Sequence, residues 1–185
     1  TLTSLMDFEA LFSYMIMIYF IYDRAVWSDS DDFYAFQLRA MEMGNILVVQ
    51  NVPKFKVPHI DGGISDLYDL KTPYIIVYMF NPQCEHCMKE TPLLVTNYKQ
   101  WKNQGISVYA IAVDTDEAEW KQYVREKGLQ DFVNVFDPTN RSIYATYYVD
   151  NTPEIYVLNP DREIIGKNLN VDQIMTVINR DRAKR

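Results

Sequence analysis

Apolar and polar positions follow two different patterns along the chain, with the change near residue 51. In the first part, apolar residues recur at helical spacing over 5–23 and over 31–49, and a Ser and Asp cluster at 28–32 separates the two stretches. This pattern predicts a helical hairpin over residues 1–51. Its first helix has almost no polar face, so it must be covered on more than one side.

From residue 52 onward, short apolar runs alternate with amphipathic stretches. A short hairpin and one helical turn are predicted within 52–70, and strands are predicted at 74–80, 106–113, 133–136, 154–158 and 163–167. Helices are predicted at 85–102, 116–127, 139–147 and 171–180, followed by a frayed basic tail. The strands at 74–80 and 106–113 carry no charged residue, which is typical of strands buried on both faces. The order of elements predicts an α/β sandwich with a mixed sheet.

The composition is that of one globular domain with an appendage. Of the 185 residues, 48% are hydrophobic and 23% are charged, which excludes a disordered or fibrous chain. The formal net charge is -7, and there is no basic stripe that would follow a phosphate backbone. Nucleic acid is therefore not an expected partner.

The apolar run at 10–22 resembles a membrane span or a leader segment only superficially. A membrane-spanning helix needs about 20 apolar residues, and this run is shorter. Its upstream flank carries Asp7 and Glu9 and no basic residue, whereas a signal peptide has a basic flank. We predict a buried helix here. Because the chain begins at Thr1, we expect a mature or trimmed product without its address segment.

The two cysteines of the chain lie in the motif Cys84-Glu85-His86-Cys87. They follow a predicted buried strand directly and begin the next predicted helix. A helix N terminus stabilises a thiolate over a thiol. We therefore expect Cys84 to be the exposed, attacking thiol and Cys87, one turn further on, to be the resolving thiol. A protonated His86 would also favour the thiolate and make the disulfide more oxidising.

Three alternative roles for the cysteine pair have a weaker basis. A zinc site would find only His59 and His86 as further soft ligands. A structural disulfide would close so small a loop that it gains little stability on the entropic account. Two merely buried thiols would not account for the position between strand and helix. Redox exchange is the favoured interpretation, with no metal and no cofactor beyond a Cys84–Cys87 disulfide.

Three motifs in the right order make the chain similar to a known family. They are Asn81-Pro82-Gln83 before the cysteines, Pro92 within the predicted helix, and Asn151-Thr152-Pro153 before a predicted strand. From about residue 57 to the C terminus, the chain resembles the thioredoxin fold. Within that fold it resembles the TlpA/ResA-type thiol–disulfide oxidoreductases of bacterial envelopes, which share the AhpC/TSA sequence texture.

The resemblance implies a thioredoxin-like three-layer sandwich with a mixed central sheet over residues 52–185, preceded by the helical hairpin of residues 1–51. The site residues that it implies are the catalytic Cys84 and Cys87, the modulating Glu85 and His86, and the substrate-binding Thr152 and Pro153, with a cis bond before Pro153. Glu85 matches ResA-like proteins, whereas His86 matches strongly oxidising DsbA-like motifs. The two analogies favour different redox poises.

The same resemblance implies protein thiol or disulfide substrates and an upstream electron donor or acceptor. It also implies a location in the periplasm or cell envelope of a bacterium. Residues 1–51 match no motif. We expect them to extend the core, with self-association or the docking of a partner as the alternative.

The chain departs from the family pattern at several positions. Gln83 stands where thioredoxin has Trp before the first cysteine. Tyr78 stands where thioredoxin has a buried Asp, so the usual proton acceptor for the resolving thiol is absent. Asp114 is a candidate substitute, but an Asp at a strand end is more often a helix cap, and we leave it out of the site. Asn81 replaces the Thr or Ser of peroxiredoxins, which makes peroxidase activity a minor alternative.

The sequence therefore predicts an enzyme that exchanges disulfides with protein substrates through Cys84 and Cys87. A reductant and an oxidant would use the same two sulfurs. The alternative is a binding protein, either a carrier of copper or another metal or a scaffold that holds a partner.

Overall fold

The computed structural model describes residues 51–139, 142–147, 149 and 151–185. The helical hairpin predicted for residues 1–51 lies outside the described residues, apart from Asn51. Its fold and its role remain predictions.

The described part of the chain is built from short strands and four α-helices. The strands are β1 (Lys56–Pro58), β2 (Ile64–Asp66), β3 (Tyr74–Phe80), β4 (Ile106–Ala112), β5 (Val133–Phe136), β6 (Glu154–Leu158) and β7 (Ile164–Gly166). The helices are α1 (Glu85–Trp101), α2 (Glu117–Lys127), α3 (Ser142–Tyr147) and α4 (Ile174–Lys184). Single turns of 3-10 helix lie at Leu67–Asp69, Lys102–Gln104, Leu129–Asp131 and Val171–Gln173. No helix in these ranges has both the length and the apolar character needed to cross a membrane.

Five strands form one mixed sheet in the order β5-β4-β3-β6-β7. The strands β3, β4 and β5 are parallel, whereas β6 is antiparallel to β3 and to β7. The strands β1 and β2 form a separate antiparallel hairpin. All seven residues of β3 are apolar and buried, so its central place in the sheet leaves none of them against water.

The side chains of β3 alternate between two apolar clusters, one on each face of the sheet. Its even-numbered residues pack with α1, α2 and α4. Its odd-numbered residues pack with α3 and the β1–β2 hairpin. Helices α1, α2 and α4 therefore form one layer, the sheet forms the second, and α3 with the β1–β2 hairpin forms the third. The predicted mixed α/β sandwich is confirmed.

The predicted strands and helices after residue 52 are confirmed with small shifts of their bounds, but the predicted frayed tail is wrong. Helix α4 continues to Lys184. The guanidinium of Arg185 lies 2.8 Å from the Asp181 carboxylate and 2.9 Å from that of Asp161. Arg182 donates to the Gln104 carbonyl oxygen at 2.7 Å. Basic side chains near a helix C terminus also interact favourably with its dipole, so the last turns hold.

Arg162 connects the β6–β7 turn to the segment that leads into β3. Its guanidinium donates to the carbonyl oxygens of Leu70, Thr72 and Pro73 at 2.7, 3.1 and 3.3 Å. These three carbonyls directly precede the central strand. The side chain thus fixes the point at which the chain enters β3.

We predict that Arg162→Ala lowers the free energy of unfolding by about 1–2 kcal/mol, because three carbonyl acceptors lose a charged donor. Arg162→Lys should recover only part of this loss, since an ammonium cannot reproduce the fork of a guanidinium. Urea denaturation measures the effect. Arg180→Ala, at an exposed position of α4, is the control and should stay within about 0.5 kcal/mol of the parent. An equal change in both variants would refute the role of Arg162.

Candidate active site

The loop between β3 and α1 is a tight turn that Asn81 stabilises. The Asn81 side-chain oxygen accepts from the Gln83 N–H at 2.7 Å, and its carbonyl accepts from the Cys84 N–H at 3.1 Å. Its side-chain amide donates to the Asp114 carbonyl at 3.1 Å. Asn81 therefore both shapes the turn and ties it to the loop after β4.

Cys84 is the N-cap residue of α1. Its sulfur accepts a hydrogen bond from the Cys87 N–H at 3.4 Å, in place of the oxygen of a usual capping side chain. The side chain is partly exposed. The predicted position of Cys84 at the helix N terminus is confirmed.

Hydrogen bonds make Cys84 more acidic than an ordinary thiol. Burial raises the pKa of the Cys84 thiol, but hydrogen bonds with the Thr152 and Cys87 side chains and with the Cys87 and His86 N–H groups outweigh it, so the pKa lies below its ordinary value. When protonated, the thiol donates to the Thr152 carbonyl oxygen at 2.9 Å. That contact alone would favour the thiol, and the net lowering shows that the donors to the thiolate prevail.

Cys87 has the opposite character. It is buried, and burial raises the pKa of its thiol to about 12, with the neighbouring Cys84 adding to the rise. Two thiols one helical turn apart therefore differ strongly in acidity, with the acidic one nearer to solvent.

The Thr152–Pro153 loop lies against the Cys84 sulfur. The peptide bond before Pro153 is cis, as the resemblance implied. Strand β6 begins directly after it at Glu154, which pairs with Met79 near the end of β3. Because β6 is the antiparallel neighbour of β3, its first residues lie where β3 delivers the cysteines.

The other residues considered from the sequence have more modest positions. Glu85 and His86 both have exposed side chains in the first turn of α1. His86 lowers the pKa of Cys84 through its backbone N–H. Asp114 is exposed, with its backbone in the left-handed region at φ 52. It is not the cap of α2, because that cap is Asp116, whose side chain accepts from the Glu119 N–H at 2.8 Å.

The sequence did not reveal several polar contacts around the cysteines. The Gln83 amide donates to a Glu119 oxygen at 2.8 Å, which joins the loop before Cys84 to α2. The Tyr78 hydroxyl is hydrogen bonded to the Thr91 hydroxyl, which is in turn bonded to the Tyr123 hydroxyl. Thr91 lies one turn beyond Cys87 on α1, and this spacing was the available signal. Within the described ranges, no group of three or more His, Cys, Asp and Glu side chains could hold a metal ion.

Comparison with known proteins agrees with this geometry. The model of the AhpC/TSA family matches residues 48–172, which include both cysteines and the cis-proline loop. The chain belongs to the AhpC/TSA family. Among curated proteins with this similarity, the thiol-disulfide oxidoreductase ResA of Bacillus subtilis is 27% identical over 115 residues, which cover 62% of this chain and 63% of ResA. ResA of Bacillus cereus is 26% identical over 118 residues, 64% of this chain and 67% of that protein.

Solved structures extend the AhpC/TSA comparison to the fold. A domain of a possible thiol-disulfide isomerase from Cytophaga hutchinsonii has a TM-score of 0.70 and 28% identity, covering 75% of this chain and 95% of that one. The thioredoxin domain of a thiol-disulfide oxidoreductase from Bacteroides vulgatus has a TM-score of 0.66 and 24% identity, covering 72% of this chain and 96% of that one. The thioredoxin-like fold is therefore confirmed. The match to Bacillus subtilis ResA spans less than two thirds of that protein's length.

We predict that the two thiols titrate far apart. In Cys87→Ser, the remaining Cys84 should titrate below the ordinary value of 9.0. In Cys84→Ser, the remaining Cys87 should titrate above it, because burial, the largest cause of its shift, persists. Thiolate absorbance measured against pH gives both values. Alkylation depends on the thiolate, so its rate should rise with pH through each pKa, and at neutral pH Cys84 should react at least about tenfold faster. Coincident titration curves would contradict this assignment.

Proposed function

We propose that this protein is a thiol–disulfide oxidoreductase that acts on protein substrates through Cys84 and Cys87. The observation that carries the proposal is the 3.4 Å hydrogen bond from the Cys87 N–H to the Cys84 sulfur. It brings an acidic, accessible sulfur and a buried, weakly acidic one to the same helix terminus. Members of the family with similar sequence bear the name thiol-disulfide oxidoreductase, which supports this function.

The difference in acidity assigns an order to the steps. In the reducing direction, the Cys84 thiolate attacks one sulfur of a substrate disulfide, and the other substrate sulfur leaves as a thiolate. Cys87 then loses its proton and attacks the Cys84 sulfur. A Cys84–Cys87 disulfide forms, the mixed disulfide breaks, and the second substrate sulfur leaves with its electron pair. The oxidising direction runs through the same bonds in reverse.

The Thr152–Pro153 loop would bind the substrate chain next to the attacking sulfur. A protonated Cys84 donates to the Thr152 carbonyl. The thiolate has no proton to donate, so ionisation frees this carbonyl for an N–H of an extended substrate segment. Thr152 would thus bind substrate backbone in the state in which Cys84 is ready to attack.

The electrons of this reaction reside in the two sulfurs, so the proposed activity needs no cofactor beyond the Cys84–Cys87 disulfide. It does need an upstream protein that reduces or reoxidises the pair. Disulfides form and persist mainly in oxidising compartments. The resemblance to ResA-type proteins supports a location in the periplasm or cell envelope of a bacterium, with proteins that carry thiols or disulfides as the substrates.

The two cysteine variants should fail at different steps. We predict that Cys84→Ser abolishes reduction of insulin disulfides, because no acidic sulfur remains to attack. Cys87→Ser should still attack but accumulate a covalent adduct through Cys84, because no thiol resolves it. Insulin turbidity measures turnover, and intact mass under non-reducing conditions measures the adduct.

The double variant Cys84→Ser/Cys87→Ser is the matched control and should form no adduct, because these are the two cysteines of the chain. If both single variants reduce insulin at the parental rate, the proposal is wrong. Tight stoichiometric Cu(I) uptake by the reduced protein, without disulfide exchange, would indicate a metal carrier instead. Direct consumption of peroxide would indicate a peroxidase.

A pair of substitutions at His86 separates its backbone from its side chain. We predict that His86→Pro lowers the reduction potential by about 30 mV, because the thiolate loses one N–H donor and the reduced form becomes less stable. His86→Ala keeps that N–H and should lower the potential less, because only the side chain is lost. Equilibration with glutathione measures both. An unchanged or raised potential in His86→Pro would exclude the backbone contact.

A further inference from the structure

Three buried hydroxyl groups from three different elements form a chain beneath the redox pair. The Tyr78 hydroxyl of β3 lies 2.6 Å from the Thr91 hydroxyl of α1. The Thr91 hydroxyl lies 2.8 Å from the Tyr123 hydroxyl of α2. Tyr123 donates to the Cys87 carbonyl oxygen at 3.3 Å, so the chain ends on the resolving cysteine itself.

Packing fixes the three hydroxyls in place. Tyr78 and Thr91 are 0% exposed and Tyr123 is 5% exposed. The ring of Phe80 stacks on the Tyr78 ring, with centroids 5.4 Å apart, and on the Tyr123 ring, at 5.1 Å. A stack of three aromatic rings leaves the two phenol oxygens little freedom to move.

The three hydroxyl groups can donate hydrogen bonds but cannot act as a base near neutral pH. Burial raises the pKa of Tyr123 to about 12 and that of Tyr78 well above its ordinary value. The charges that act on these hydroxyls include those of Cys87 and Cys84. The Lys127 ammonium lies 5.7 Å from the Tyr123 ring centroid. All three hydroxyls therefore stay protonated while a charge appears on the buried sulfur.

Each hydroxyl carries one proton, so the chain has two orientations. While Tyr123 donates to the Cys87 carbonyl, Thr91 donates to Tyr123 and Tyr78 donates to Thr91. In the reverse orientation, Tyr123 donates to Thr91 and Thr91 donates to Tyr78. The Tyr78 proton is then no longer bound to Thr91 and can turn toward another acceptor. Rotation of hydroxyl dipoles requires no net proton transfer and stabilises a buried charge.

We propose that Tyr78, Thr91 and Tyr123 are positioning residues whose hydroxyl dipoles stabilise the Cys87 thiolate during resolution, in place of a buried carboxylate. This inference rests on the proposed function. In the step, the Cys87 proton passes to the substrate thiolate released by the first attack. The Cys87 sulfur then forms a bond to the Cys84 sulfur, and the second substrate sulfur leaves with the electron pair of the broken bond. The hydroxyl chain gains and loses no proton.

A two-phase reaction with 5,5′-dithiobis(2-nitrobenzoate) tests this inference. The first release of nitrothiobenzoate reports attack by Cys84, and the second reports resolution by Cys87. We predict that Tyr78→Phe, Tyr123→Phe and Thr91→Val slow the second phase by about tenfold, because the Cys87 thiolate loses hydroxyl dipoles that stabilise it. The apparent pKa of that phase should rise, and the first phase should change by less than about twofold.

Thr91→Ser keeps the hydroxyl and should restore the second phase, which separates the hydrogen bond from mere packing. Tyr98 is a buried tyrosine in the apolar cluster that packs with α1, α2 and α4. Tyr98→Phe is therefore the control and should leave both phases near the parental rates. If all three chain variants resolve at the parental rate and with the parental pH profile, the positioning role is wrong. If the parent protein itself releases only one equivalent, the proposed function fails instead.

Discussion

The hydrogen bond between the Cys87 N–H and the Cys84 sulfur is the contact on which the rest of the site depends. It exists because β3 is buried on both faces and ends at Phe80, so the chain must leave the core there. The turn built on Asn81 then directs the chain into α1. Strand, turn and helix together bring one sulfur to the surface and hold the other below it.

The two sulfurs differ because of where the surrounding elements end. The antiparallel strand β6 begins beside the end of β3, which brings Thr152 to the Cys84 sulfur. The Cys87 side chain is buried in the same apolar cluster as side chains of α2 and the aromatic residues of β3. Within one turn, the helix terminus therefore has a polar, partly solvent-exposed side and a buried apolar side. This contrast separates the pKa of Cys84 from that of Cys87.

Much of this arrangement could be predicted from the sequence, because the signals are local. The uncharged runs of β3 and β4 identify buried strands, and the spacing of Cys84 and Cys87 at a strand-to-helix junction identifies the site. The hydroxyl chain could not be predicted, because Tyr78 and Tyr123 meet Thr91 only after three elements pack. At Tyr78 the family pattern indicates only that a carboxylate is missing. The pairing of Arg185 with Asp161 is likewise a contact between residues distant in sequence, which no local pattern indicates.

Helix α2 contacts the segment that carries the two cysteines at two separate places. At the surface, Glu119 accepts from Gln83, directly before Cys84. In the interior, Tyr123 reaches Thr91 and the Cys87 carbonyl from the next turn of the same helix. The helix thus contacts the segment around the two cysteines both at the surface and in the interior. Displacement of α2 would break the surface and interior contacts together, so the position of this one helix governs the surroundings of both cysteines.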